Sequence, residues 1–292
     1  MFIKSFRTQF YIMIHQLGFQ LCFMVVLLCG LINTALWQVS NYGGIKEDGI
    51  DVSEAFLLNE YSPVVGIFFM ISLFLLMLPY CFSSLKNTNL HTDLLHIVRG
   101  DTKSYYAAGG ATAFCGTFLA FFLPLLIELL INQLFFTSTG IMANGFSVYD
   151  LNGGGGLVGT IIDESAVVNP GLCMIPISLY ISHPLLYNIL YALLYSIFMG
   201  IVSLMMYAVS LYVKKNIYLF FPMYILYFVI LRIGDIVYLF VERIIEYDFF
   251  RYFMVANNMD LSYIYICSLS ICMLIVSVIL ILRKAVSDQG VF

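Results

Sequence analysis

Long apolar runs separated by short polar intervals make up most of the chain, and the runs are of membrane length. A hydrocarbon layer about 30 Å thick takes roughly 20 residues of helix to cross, and every backbone polar group inside it must be satisfied within the helix. Six stretches meet that requirement, at about 17–39, 63–82, 105–136, 185–213, 217–241 and 261–282. The third and fourth exceed it and are expected to tilt or to project into water. Ahead of the first run, residues 1–16 interleave Phe2, Ile3, Phe6, Phe10, Tyr11 and Ile14 with Lys4, Arg7, Gln9 and His15, the pattern of an amphipathic helix at a membrane interface. The predicted class is all-α: a polytopic membrane protein of six transmembrane helices with an N-terminal amphipathic helix, forming one domain over residues 1–292.

Composition agrees with lipid as the solvent. Hydrophobic residues make up 62% of the chain, charged residues 10%, and the mean hydropathy is +0.96, which leaves too little polar surface to coat a soluble globule of 292 residues. A net charge of −4 without a basic run excludes nucleic acid as an expected partner. Lysine and arginine favour the cytoplasmic side of a membrane. With the N-terminus inside, that side holds Lys4, Arg7, Lys86, Arg99, Lys103, Lys214, Lys215, Arg283 and Lys284, or 9 of the 13 basic residues. Lys46, Arg243 and Arg251 fall outside, together with 12 of the 17 acidic residues, among them Glu47, Asp51, Asp163 and Glu246. An even number of spans returns the C-terminus to the cytoplasm, so a multi-pass protein of the cell membrane with both ends inside is expected.

The connections are unequal. The longest outer one covers 137–184 and contains Gly153, Gly154, Gly155, Gly156, Pro170 and Pro176, which mark turning backbone. The longest inner one covers 83–104. Cys22, Cys29, Cys81, Cys115, Cys267 and Cys272 lie in or beside apolar runs and only Cys173 lies in a loop, so no disulfide framework is expected. No small-x-small cleavage site follows the first apolar run, which is expected to stay as an anchor.

Candidate chemistry is sparse. No Gly-Lys-Ser or Gly-Lys-Thr turn is present to hold phosphates, and the four glycines have no such lysine, so this chain binds no nucleotide of its own and any ATPase must be a separate chain. No His-Glu-x-x-His motif, catalytic carboxylate pair or nucleophile with its base stands inside an apolar run, so an enzyme is not expected. His91 and His96, five apart, turn to different helix faces, and no metal site is expected. Three ionisable residues fall within spans, where each costs several kcal/mol unless paired or wetted. Glu128 lies in the outer half of the third, while Arg232 and Asp235 are neighbours on one face of the fifth. They form either a structural arginine–carboxylate layer or a polar lining of a substrate route. Pro79, Pro124 and Pro222 each remove a backbone donor inside or near the end of a span.

The order of features resembles the membrane permeases of ABC-2 type (type V) ATP-binding cassette exporters. The resemblance covers most of the chain: an amphipathic N-terminal helix, six spans, and a cytoplasmic segment after the second span that leads into the third. That segment runs from Asn89 to Tyr106, and its most similar part is Arg99-Gly100 followed by Lys103 and Tyr105-Tyr106. The resemblance implies a separate nucleotide-binding subunit carrying ATP and Mg, and a second permease subunit, identical or not. It makes residues 90–98 a coupling helix, with Leu90, Leu94, Leu95 and Val98 as an apolar stripe and His91, Asp93 and Arg99 placed for polar contacts with the ATPase. It also implies that the aromatic stretch from Glu242 to Asp260, with Phe249, Phe250, Tyr252 and Phe253, turns back into the membrane as short helices. Few arginines and many isoleucines, tyrosines and asparagines suggest a low-GC Gram-positive source, where such permeases export hydrophobic or amphipathic peptides, including lantibiotics and other bacteriocins, or lipid-like molecules. Two other classes fit the same composition: an ion-coupled secondary transporter using Glu128, Arg232 and Asp235, and a membrane sensor or assembly protein.

Overall fold

The computed structural model describes residues 1–42, 55–59, 62–82, 84, 101–135, 175, 179, 183–213, 218, 221–222, 224–232, 247–255 and 263–289. They are almost entirely helical, and no strand occurs among them, only an isolated parallel bridge between Asn59 and Val255. The elements are α1 (Phe2–Ile14), α2 (Leu17–Tyr42), α3 (Val65–Leu75), α4 (Thr102–Phe135), α5 (Pro184–Ser210), a 3₁₀ turn at Arg251–Phe253 and α6 (Tyr263–Gln289). Four of the helices, α2, α4, α5 and α6, are long and apolar enough to cross a membrane. They coincide with four of the six predicted spans, with limits within about three residues except that α6 runs on to Gln289, past the predicted end at 282. The fifth predicted span is described only in part, with residues 224–232 helical.

The second predicted span is corrected by the structure. A continuous helix over 63–82 is replaced by the shorter α3 and a run of turns at 76–80. Pro79 accounts for the break: it has no N–H to offer the carbonyl of Leu75, and its ring would collide with that carbonyl in a straight helix. The Leu75 carbonyl instead accepts from Leu78 N–H at 3.0 Å, and the Phe74 carbonyl accepts from Met77 N–H at 3.2 Å, tighter i to i+3 closures of the 3₁₀ kind. The Leu76 carbonyl is reached by the hydroxyls of Thr117 on α4, at 3.3 Å, and Ser203 on α5, at 3.1 Å. The interruption is thereby sealed by two neighbouring helices.

At the centre stands α4, which packs against α1, α2, α5 and α6. Its buried positions include Ala108, Gly110, Thr112, Ala113, Gly116, Thr117 and Ala120. Between helices in lipid the hydrophobic effect gives little, so association rests on van der Waals contact, and small side chains let backbones approach closely. Residue Asp101 caps the start of α4, accepting from Ser104 N–H at 3.1 Å and Ser104 Oγ at 2.9 Å. These two bonds hold its exposed carboxyl below the usual carboxylate range.

Helix α1 is expected from sequence to lie at the interface, and the structure also docks it on α4. Phe2, Phe6 and Phe10 stack along one side, at 6.2 and 5.4 Å between ring centroids. Gln9 and Met13, one turn apart, are buried. The Gln9 amide donates to the Tyr105 carbonyl at 3.2 Å and accepts from Tyr80 Oη at 2.6 Å. Lys4, Arg7, Tyr11 and His15 remain exposed.

Gly18 and Gly116 mark two of the tightest approaches. A Cβ on Gly18 of α2 would lie 2.1 Å from the backbone carbonyl oxygen of Leu78, and a Cβ on Gly116 of α4 would lie 2.1 Å from Met13 Sδ. The first obstacle is backbone and the second is the movable end of a flexible side chain. Gly18→Ala is therefore expected to destabilise the protein by about 1–3 kcal/mol, and Gly116→Ala by clearly less. Thermal unfolding of both variants in detergent checks the ranking, and an equal or reversed order contradicts the packing described.

Candidate functional site

Toward the end of α4 remote from Thr102, Leu125, Glu128, Leu129 and Asn132 fall at i, i+3, i+4 and i+7 and are all buried. Facing them on α2 are Asn33 and Thr34, also buried. Gly30 on α2 allows this approach, since a Cβ there would lie 3.0 Å from Glu128 Cδ. Between the two helices sits the non-helical segment 55–59, continuing at Ser62 into the start of α3.

Side chains of α2 and α4 bond the backbone of that segment. Glu128 Oε1 accepts from Leu57 N–H at 2.8 Å and from Asn33 Nδ2 at 3.4 Å. The carbonyl of Ala55 accepts from Asn33 Nδ2 and from Asn132 Nδ2, each at 2.9 Å. Ser62 Oγ donates to Asn33 Oδ1 at 2.7 Å, and Thr34 Oγ1 donates to Asn132 Oδ1 at 2.6 Å. A non-helical backbone at membrane depth survives only where protein replaces the missing helical partners, and this cradle supplies them. Glu128 Oε2 is buried without a hydrogen-bond partner.

The cradle adjoins an aromatic cluster formed by a second non-helical segment, 247–255. Asp248 starts its turn: Oδ1 accepts from Phe250 N–H at 3.0 Å and the backbone carbonyl accepts from Arg251 N–H at 3.1 Å. Phe249, Phe250, Tyr252 and Phe253 are buried. Phe250 stacks on Phe69 of α3 at 4.7 Å, and Phe253 lies 5.8 Å from the Tyr195 ring on α5, which also meets Phe68, Phe69 and Phe121. Val255 N–H donates to the Leu58 carbonyl at 2.9 Å, so the two segments are joined through their backbones.

A separate polar set lies where α4 begins and α6 ends. Tyr106 Oη donates to Asp288, which pairs with Lys284 at 3.1 Å, and Tyr207 Oη of α5 donates to the Tyr106 carbonyl at 3.3 Å.

The sequence-predicted residues fare differently. Glu128 is in the cradle. Arg232 is exposed on the helical stretch 224–232, and Glu128 takes its hydrogen bonds from Asn33 and Leu57 and not from that arginine. Asp235 lies outside the described residues, as do Leu90, His91, Asp93, Leu94, Leu95, Val98 and Arg99 of the expected coupling helix and the four glycines of the outer loop. Among the described residues no group of three or more His, Cys, Asp or Glu side chains is placed to hold a metal. Sequence reasoning passed over Asn33, Thr34, Ser62 and Asn132. Their signal was present: amides inside apolar runs, with Asn132 one turn beyond Glu128. No family model, curated protein or solved structure matches the chain.

Removing the Glu128 acceptor leaves Leu57 N–H buried and unpaired. Glu128→Ala is expected to lower stability by about 1–3 kcal/mol, whereas Glu128→Gln, which keeps an oxygen for Leu57, costs less. Detergent-resistance midpoints of the two variants test this, and equal losses would show that the Leu57 bond does not fasten the segment.

Proposed function

We propose that the chain is the six-span permease subunit of an ATP-binding cassette exporter of the ABC-2 type, located in the cell membrane with both ends cytoplasmic. The observation that carries the reading is the order of parts: an amphipathic helix docked on the central long helix, four long apolar helices, and an aromatic segment that folds back against the bundle just before the last of them. The positive charge collected at one set of connections supports the orientation.

In this reading a separate nucleotide-binding subunit carries ATP and Mg and docks on the segment around residues 90–98. Leu90, Leu94, Leu95 and Val98 give it an apolar stripe, and His91, Asp93 and Arg99 give it polar contacts. Closure of the ATPase moves this segment. The motion reaches the bundle at the Asp101 cap of α4, next to the Tyr106–Asp288 link to α6. Two permease subunits then rock to change access to a path between them, moving an amphipathic peptide or lipid-like molecule outward.

The test is purification of the tagged chain from its native membrane, with mass spectrometry and an ATPase assay on the eluate, for wild type and for Leu94→Asp/Leu95→Asp. The expected result is a stoichiometric nucleotide-binding subunit with wild type and its loss in the variant. A clean preparation without any ATPase contradicts the reading. An ion-coupled carrier would move cargo in exactly that ATPase-free state, so the same eluate, reconstituted, separates the two.

A further inference from the structure

The cradle contains one ionisable side chain that its surroundings leave half satisfied. Both hydrogen bonds given to Glu128 go to Oε1, from the Leu57 N–H and the Asn33 amide. Oε2 is buried with no donor, and no ion pair to Glu128 occurs among the described residues. A full carboxylate in that place is stripped of water and of counter-charge, whereas a neutral acid group presents only an unbonded hydroxyl, the smaller of the two costs. The groups that face it do not change this account. From α2 comes Cys29, a thiol that interacts with it electrostatically and carries no positive charge. From α4 comes Asn132, whose neutral amide also interacts with the carboxyl and carries no positive charge. Segment 55–59 and residues 62–64 contribute amides, carbonyls and the Ser62 hydroxyl, while Glu60 and Tyr61 lie outside the described residues.

We propose that Glu128 is a proton-binding site, and that its proton latches segment 55–59 between α2 and α4. With the proton bound, Glu128 is a neutral acceptor for Leu57 N–H and the segment stays docked. Loss of the proton leaves a buried carboxylate without a counter-charge, and the state that relieves it is one in which the segment withdraws and water enters. Because Val255 N–H is bonded to the Leu58 carbonyl, withdrawal also removes that bond from the aromatic segment 247–255. The sign follows from linkage: the docked state binds the proton more tightly than the open one, so docking is strongest at acid pH and weakens as pH rises. This inference does not rest on the ATPase reading and is testable on the chain alone.

The experiment is hydrogen–deuterium exchange of the peptide covering 55–59 in lipid nanodiscs across a pH series, with Glu128→Gln as a permanently neutral mimic. Intrinsic exchange cancels in the wild-type to variant ratio. That ratio is expected to rise with pH, by at most about tenfold per pH unit, the limit for one linked proton. Infrared spectra of the wild-type chain give a second readout that needs no variant to fold: a carboxylic-acid C=O band that disappears over the same pH range. A ratio independent of pH, no such band, or opening that follows sodium concentration at constant pH would each overturn the proposal.

Discussion

Leu57 N–H reaches Glu128 across 71 residues of sequence, and that one bond illustrates the constraint on which the whole structure depends. In hydrocarbon an amide without a partner costs several kcal/mol, so the chain can leave the helical state only where another part of the protein offers a partner to receive it. Three departures are visible, and each is closed in the same way. Segment 55–59 is held by Glu128, Asn33 and Asn132, the turn before Pro79 by Thr117 and Ser203, and segment 247–255 by its own Asp248 and by the Leu58 carbonyl.

The central helix makes those closures possible. Its first half is lined with small residues that bring α1 and α5 close, and the hydroxyl of Thr117 sits within that stretch to meet a broken neighbour. Its second half trades small residues for Glu128 and Asn132 and so holds backbone in place of a helix face. Around the cradle the rings of Phe68, Phe69, Phe121, Tyr195, Phe250 and Phe253 fill the space that irregular backbone cannot pack. A segment fastened by a few hydrogen bonds to one ionisable group is easier to release than a packed helix, which is why the cradle, more than the α4–α5 contact, is where a change of state would start.

Much of this was legible in the sequence, because membrane helices announce themselves by uninterrupted apolar length. The predicted spans at 17–39, 105–136, 185–213 and 261–282 correspond to α2, α4, α5 and α6. Within the run at 63–82 the sequence marks Pro79 as the place where a donor is lost, but hydropathy does not show that the helix gives way to turns from residue 76, nor that Ser203, 127 residues away, reaches the Leu76 carbonyl. Glu128 was legible as an anomaly in an apolar run, but its partners were not. A layer with Arg232 is the natural pairing by charge, whereas in the structure an asparagine and a backbone amide bond Oε1 and Oε2 is left without a hydrogen bond. The docking of α1 was half legible: its amphipathic pattern shows, while the fit of Met13 on Gly116 depends on a surface supplied about a hundred residues later.

The central claim is that the two non-helical segments meet inside the bundle, and a cross-link tests it most directly. Asn59 and Val255 face each other in the parallel bridge, so Asn59→Cys/Val255→Cys, in a background with the native cysteines replaced by alanine, places two thiols within reach of one another. Mild oxidation in native membranes is expected to join them in high yield, and each single variant should give no intramolecular link. Failure of the pair to cross-link, while the protein remains folded and inserted, would contradict the docking of these segments and with it the cradle built around Glu128.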